Sequence, residues 1–242
     1  MPYVLPILAF LCASIPFGLL IGKALKGIDI REHGSGNIGT TNVFRTLGKG
    51  PGIVCLILDI LKGYLPVLLA LNLLQFGDND PVPNLAFLEG LRLTLPASQQ
   101  IFVQTIHIVT ALFAILGHNY SPWLGFKGGK GIATSAGVLL ALMPATVGIL
   151  ILIFLAVFLT SKYVSLASIT AAAALPILTI AGAWLDGQFQ DGTWNLPLFV
   201  FALLVAILAI WKHRSNIERL RNGTENRFGK KKAKAGQTTD PA

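Results

Sequence analysis

Five stretches of this chain carry few or no charges and approach or reach the length of a bilayer crossing: Tyr3 to Gly22, Ile53 to Leu74, Ile101 to Gly117, Val164 to Ala183 and Leu196 to Trp211. A helix needs roughly 20 apolar residues to span the hydrocarbon core. A sixth block, Ile132 to Thr160, is longer than one span needs. With 53% hydrophobic and only 12% charged residues, the chain is too apolar for an ordinary soluble domain. The expected fold is all-α, a multi-pass transmembrane helical bundle.

The first block has no basic residue ahead of its apolar run and no small-residue cleavage site, so it is expected to remain as the first helix. The two cysteines, Cys12 and Cys55, lie inside apolar spans and are expected to pack there; they support neither a disulfide framework nor a metal cluster. The net charge of +8 does not point to nucleic acid, because nine of the nineteen basic residues fall between Lys212 and Lys234, after the last span. Cations accumulate on the cytoplasmic flank of membrane helices, where they favour anionic lipid surfaces.

The same rule sorts the connections. Lys23, Lys26, Arg31, Arg45 and Lys49 mark the first connection, Lys127 and Lys130 another, and Lys162 a third. Gln75 to Gln100 carries Asp78, Asp80 and Glu89 against Arg92, and Trp184 to Asn195 carries Asp186 and Asp191 with no cation. The first class is expected to be cytoplasmic and the second external. One crossing through Ile132 to Thr160 would leave Lys162 outside. A break at Met143-Pro144, where proline ends one helix and opens the next, gives helices of about Ile132 to Leu142 and Ala145 to Thr160 and repairs the topology. The expectation is about seven helices, amino terminus outside and carboxyl terminus inside. Residues 1–228 form one integral membrane domain, and residues 229–242 a basic cytoplasmic tail expected to be disordered.

Three polar segments share the inferred cytoplasmic side. In "HGSGNIGTTNVFRTLGKG", His33 to Gly50, glycines permit close backbone approach and Thr40 to Leu47 can start a helix. Ser35, Asn37, Thr41 and Asn42 offer neutral donors, and Arg45 can grip phosphate oxygens with its fork. The alternative is a glycine-rich turn with a snorkelling arginine. "GHNYSPWLGFKGGKGIATSAG", Gly117 to Gly137, sets glycines around Lys127 and Lys130 just before a helix, which suits an anion. It is not a nucleotide P-loop: Leu124 stands where the first glycine belongs, and Gly131 where Ser or Thr should follow Lys130. "HRSNIERLRNGTENRFGKK", His213 to Lys231, spaces Ile217 and Leu220 as a short amphipathic helix, so its cations can face lipid headgroups. His213, Asn216 and Arg219 also recur at helical intervals, and a donor face turned into a pocket is the alternative. Asp59 and Lys62 can pair on one helical face within a span, and His107 reads as a packed core histidine.

The combination resembles the bacterial integral-membrane glycerol-3-phosphate acyltransferases that use acyl phosphate as donor. The matching residues are "SGNIGTTNVFR" (Ser35 to Arg45), "GHNYSPWLGFKGGKGIAT" (Gly117 to Thr134) and "HRSNIERLRNGTENRF" (His213 to Phe228), supported by "LDILKGYLPV" (Leu58 to Val67) and "SKYVSLASI" (Ser161 to Ile169). The resemblance implies transfer of a fatty acyl group from acyl phosphate to the sn-1 hydroxyl of glycerol 3-phosphate, giving lysophosphatidic acid and phosphate in the first step of phospholipid synthesis. It places the enzyme in the bacterial cytoplasmic (inner) membrane, among membrane lipids, and calls for no cofactor, metal or nucleic acid. It implies a catalytic group of Ser35, Lys130, His213 and Asn216. Asn37, Thr41, Asn42, Arg45, His118, Lys127, Gly128, Gly129 and Arg219 are expected to bind substrate, with the Gly128 and Gly129 amides and both lysines neutralising phosphate. The expected chemistry is direct transfer, with the proton passing to the donor's own phosphate and His213 binding rather than abstracting. The competing class is a transporter for a phosphate-bearing solute, but no matching half-repeats or paired broken helices support it. A structural scaffold would not need three polar clusters.

Overall fold

The computed structural model describes residues 2–77 and 83–228, so Asp78, Asp80 and the expected tail of residues 229–242 lie outside the described residues. Ten α-helices follow one another: α1 (Val4–Ala13), α2 (Phe17–Lys26), α3 (Thr40–Leu47), α4 (Lys49–Leu73), α5 (Gln100–Asn119), α6 (Ile132–Leu142), α7 (Pro144–Ser161), α8 (Val164–Leu185), α9 (Leu196–Lys212) and α10 (Arg214–Arg221). Among the described residues, five segments are long and apolar enough to cross a membrane: Val4–Lys26, Lys49–Leu73, Ala97–Leu124, Pro144–Ser161 and Val164–Leu185. A sixth is Leu196–Lys212 if taken together with Arg214–Arg221, to which it is joined at a 55° bend, and Ile132–Leu142 is a shorter apolar helix. The outer surface is greasy, with Ile149, Leu152 and Leu159 of α7 all exposed, as helices bathed in lipid require. The chain is a multi-pass membrane helical bundle.

Two breaks shape the bundle. At Met143-Pro144 the chain ends α6 and begins α7 with the proline at its first position, where a missing N–H does no harm. The first span is also broken, between α1 and α2 at Pro16, a break the apolar run conceals. Carbonyls released there must find donors in a membrane. Ser14 Oγ donates to the Leu11 carbonyl at 2.7 Å, Ser121 Oγ to that of Ser14 at 2.7 Å, and Lys62 Nζ to that of Ile15 at 2.8 Å.

Helices in lipid close on one another through small residues. Ala9 and Ala13 of α1 and Ala111 and Ala114 of α5 are fully buried in one core with Val138, Leu175 and Phe201. At the α4–α6 contact, a Cβ added at Gly63 would run into the Thr134 carbonyl oxygen, and one at Gly137 into that of Ile60. The fold is helical as expected, with one short addition: β1 (Leu74–Phe76) pairs in parallel with β2 (Leu93–Leu95), Leu74 opposite Leu93. Asn72 anchors the crossover, donating to the Pro83 carbonyl at 3.2 Å and accepting from the Leu85 amide at 2.7 Å. Strands of three residues leave no readable period. Of the cysteines, Cys55 is buried as expected, while Cys12 is exposed on the outer face of α1.

Candidate functional site

One cavity of about 590 Å3 gathers residues from all three polar segments. Its polar end is built first by the loop before α3. Asn42, buried on α3, donates to the carbonyls of Ile30, His33 and Asn37 at 2.9, 3.0 and 2.8 Å and accepts from the Ser35 amide at 2.8 Å. Asn37 Oδ1 accepts from the Gly39 amide at 2.8 Å. Those bonds fold the loop so that Ser35, Asn37, Thr41 and, one turn later, Arg45 line the cavity. The hydrogen-bonding capacity of Asn42 is spent inside the loop, so its role is to shape the wall rather than to bind substrate.

The second segment supplies Lys130, which lies immediately before α6 and lines the cavity with Gly131, Ile132 and Ala133, placing the partly positive end of α6 there as well. Lys130 Nζ donates to Asn216 Oδ1. Burial pulls the Lys130 ammonium down to about 8; nearby Glu225 opposes that, while Arg219 and Arg45 add to it. Two expectations fail geometrically. The Gly128 and Gly129 amides already donate to the Asn119 and His118 carbonyls at 3.2 and 3.1 Å, so they are not offered to a phosphate. Lys127 is exposed and outside the cavity lining.

The third segment turns at the 55° bend after α9. His213 Nδ1 sits 2.8 Å from the Ala209 carbonyl, so Nδ1 carries the hydrogen and Nε2 is left for the cavity that His213 lines. Burial draws the His213 imidazole down to about 4, against the Ala209 hydrogen bond, leaving the ring neutral at pH 7. On α10, Asn216 is buried and Arg219 half-buried, both facing the cavity. This corrects the headgroup-facing reading for that face in favour of the pocket-facing alternative, while Arg214 and Arg221 are exposed.

Glu225 was not singled out by its residue type, yet it organises this end. Its carboxylate accepts from Asn216 Nδ2 at 2.8 Å, Arg219 Nε at 2.7 Å and Ser165 Oγ at 3.0 Å. Burial alone would raise its pKa; the Asn216, Arg219 and Ser165 bonds outweigh it and hold the carboxyl below the usual range. The signal was present in "NGTENRF" and "SKYVSLASI", but a lone acidic residue among cations does not announce a partner.

Deeper in, the lining becomes hydrocarbon: Leu139 of α6, Val147 and Leu150 of α7, Leu175 of α8 and Val205 of α9. Ile151 and Leu155 line it too while 50% and 41% exposed, so the cavity opens sideways toward lipid. Asp59 and His118 complete the wall at the level of α4 and α5. Asp59 pairs with Lys62 at 2.8 Å, and His107, away from the cavity, lies 2.9 Å from the Leu74 carbonyl.

Fold and site define an integral membrane protein whose cavity is lined by cations and amides at one end and by hydrocarbon at the other. A family model described as glycerol-3-phosphate acyltransferase matches residues 3–223. Relatives of that name from Desulforamulus reducens and Acaryochloris marina are 44% and 43% identical, covering 93% and 98% of this chain and 94% and 96% of their own. A crystal structure of PlsY, an integral membrane glycerol 3-phosphate acyltransferase, in its glycerol 3-phosphate form, superposes with a TM-score of 0.73 at 36% identity, covering 94% of this chain and 96% of that one. Its lysophosphatidic acid form gives 0.71 at the same identity. The chain belongs to the glycerol-3-phosphate acyltransferase family, and it is an enzyme, a membrane-embedded acyltransferase.

Proposed function

We propose that this enzyme moves a fatty acyl group from acyl phosphate to the sn-1 hydroxyl of glycerol 3-phosphate, the first acylation in phospholipid synthesis. The observation that carries this reading is a single cavity with Arg45, Lys130, Asn216 and Arg219 at one end and a hydrocarbon bore at the other. Both substrates carry phosphate and only the donor carries a long chain, so the two meet where polar lining gives way to apolar. The solved relative captured with glycerol 3-phosphate and with lysophosphatidic acid supports the same pair of ends.

Ser35, Arg45 and Asn216 hold the glycerol 3-phosphate headgroup, Lys130 bridges toward the donor phosphate, and Thr41, Asn37 and Arg219 flank them. The hydroxyl oxygen attacks the acyl carbonyl carbon, the carbon–oxygen bond to phosphate breaks, and the phosphate leaves with the electron pair. An acyl phosphate is already an activated anhydride, so alignment and charge neutralisation are the main tasks. His213 Nε2 accepts a hydrogen bond from the attacking hydroxyl, and the proton ends on the departing phosphate. Among the described residues no side-chain hydrogen bond activates Ser35 Oγ, which favours direct transfer over an acyl-enzyme.

The basic residues beside the polar end support a cytoplasmic orientation for it in a bacterial inner membrane, amino terminus outside, with Ile132–Leu142 as one of seven membrane helices. The decisive assay gives purified enzyme labelled glycerol 3-phosphate with palmitoyl phosphate or, as control, palmitoyl-CoA. Lysophosphatidic acid and free phosphate are expected with the first donor alone. Product from palmitoyl-CoA, or solute uptake by proteoliposomes without product, would replace this reading.

A further inference from the structure

The mechanism leaves unused a buried polar cluster beneath the glycine loop. Asp59, Lys62 and His118 have side chains only 3%, 3% and 4% exposed, on two apolar helices. Charges at such depth are expensive and are kept where they do something. The Asp59–Lys62 pair at 2.8 Å could balance itself, with Lys62 also donating to the Ile15 carbonyl. That pairing does not account for His118. Its Nδ1 has no hydrogen-bond partner among the described residues, yet it faces Asp59 Oδ1 at 3.8 Å. The other Asp59 oxygen is 3.7 Å from Cys55 Sγ.

The opposite edge of the His118 ring supports the loop that carries Lys130. A Cβ added at Gly129 would strike His118 Nε2, so the imidazole lies directly under the Gly129 Cα. The loop is moored above it by the Gly129 amide on the His118 carbonyl at 3.1 Å and the Gly128 amide on that of Asn119 at 3.2 Å. Lys130 follows at once and reaches Asn216. A ring wedged between a carboxylate and a backbone turn transmits the position of one to the other, as carboxylates orient ligating histidines from behind. His118 is then a floor under the loop, not the substrate contact its motif suggests.

We infer that Asp59 is a positioning residue: its carboxylate, facing His118 Nδ1 across 3.8 Å, attracts the Nδ1–H edge and so orients the ring on which the Gly128–Gly129 turn rests, which aims Lys130 at the phosphate end of the cavity. This rests on the proposed role of Lys130. Asp59 itself meets no reacting atom.

Two measurements test it. The first needs no variant: 15N NMR of histidine-labelled wild-type enzyme is expected to find His118 as the Nδ1–H tautomer. An Nε2–H tautomer would overturn the inference whatever the kinetics. The second removes both charges with Asp59→Asn/Lys62→Met, so that no ion is left unpaired. If the pair only balances charge, this variant should match the wild type in kcat and KM, whatever unfolding temperature is lost with the Lys62 bond to the Ile15 carbonyl, and that result would also overturn the inference. The expected result is a folded enzyme whose kcat/KM for glycerol 3-phosphate falls at least about tenfold, mostly through KM, since small misplacement of a binding group is costly. Adding His118→Gln should then cause little further loss, because both act through one contact; independent, multiplying losses would defeat the connection. A wild-type enzyme inactive toward acyl phosphate would strike the proposed function while leaving the tautomer result intact.

Discussion

At the scale of single residues, the site is a matter of which side chains remain free once the loops are folded. Asn42 and Asn216 are both amides in polar motifs, but Asn42 is consumed by four backbone partners while Asn216 joins Lys130 to Glu225. Residue type and spacing point to both alike, so the sequence could name the candidates without sorting them. The Gly128 and Gly129 amides fail for the same reason, since hydrogen-bond partners 9 and 11 positions earlier in the chain leave no local signature. Lys130 is where burial has a measurable consequence. Its ammonium, drawn down to about 8, grips phosphate only while protonated, so kcat/KM should decline as pH rises through about 8. Bound phosphate favours the charged form, so kcat should hold to higher pH. Lys130→Arg should abolish that alkaline limb, because guanidinium stays charged. Lys130→Met should lose about 1.5–3 kcal/mol of transition-state binding, roughly ten- to hundredfold in kcat/KM. His213→Gln should retain near-normal kcat at saturation, since glutamine can still hydrogen-bond the hydroxyl; loss of turnover at saturation would make His213 the base. Glu225→Gln removes the charge that orders Arg219, puts an amide donor where one of three donors now bonds, and should lower kcat/KM about tenfold with a lower unfolding temperature.

At the scale of elements, proline and apolar length decided what was readable. The Met143-Pro144 break followed from charge sorting plus proline chemistry, and α6 and α7 divide there. The Pro16 break has the same cause but no charge on either side to demand it, and its carbonyls are rescued by Ser121, in the loop after α5, and by Lys62 of α4. The helix Thr40–Leu47 was legible from its polar start, whereas the parallel ribbon of Leu74–Phe76 and Leu93–Leu95 was not. Close approach of α4 and α6 matters more to function than either break, because α6 carries Lys130 at its entrance and α4 carries Asp59. Gly137→Val would push the Ile60 backbone away and should destabilise the detergent-purified enzyme by about 1–3 kcal/mol, read as a lower unfolding temperature. Gly148, with open space around it inside α7, is the control position whose replacement by alanine should not lower that temperature and should raise it slightly.

At the scale of the whole molecule, the proposed reaction sets the bundle one problem: two anions and a hydrocarbon chain must meet in a protein whose surroundings exclude the anions. Cavity walls drawn from α3, α6 and α10 supply the cations, and α7, α8 and α9 supply the bore, so neither half of the chain could make the site alone. That convergence explains why three separated motifs could be recognised one by one while the pocket could not. It also ties the chemistry to orientation. Glycerol 3-phosphate is charged and would reach the pocket from the side where the polar loops lie, and the proposed reading puts that side in the cytoplasm. On a Cys12→Ser background, Glu89→Cys in the segment before β2 and Arg221→Cys at the end of α10 are both exposed. In sealed right-side-out vesicles a membrane-impermeant thiol reagent should label residue 89 at once and residue 221 only after permeabilisation. The reverse pattern would turn the bundle over, and with it the route by which glycerol 3-phosphate enters, because the pocket's cations travel with α10.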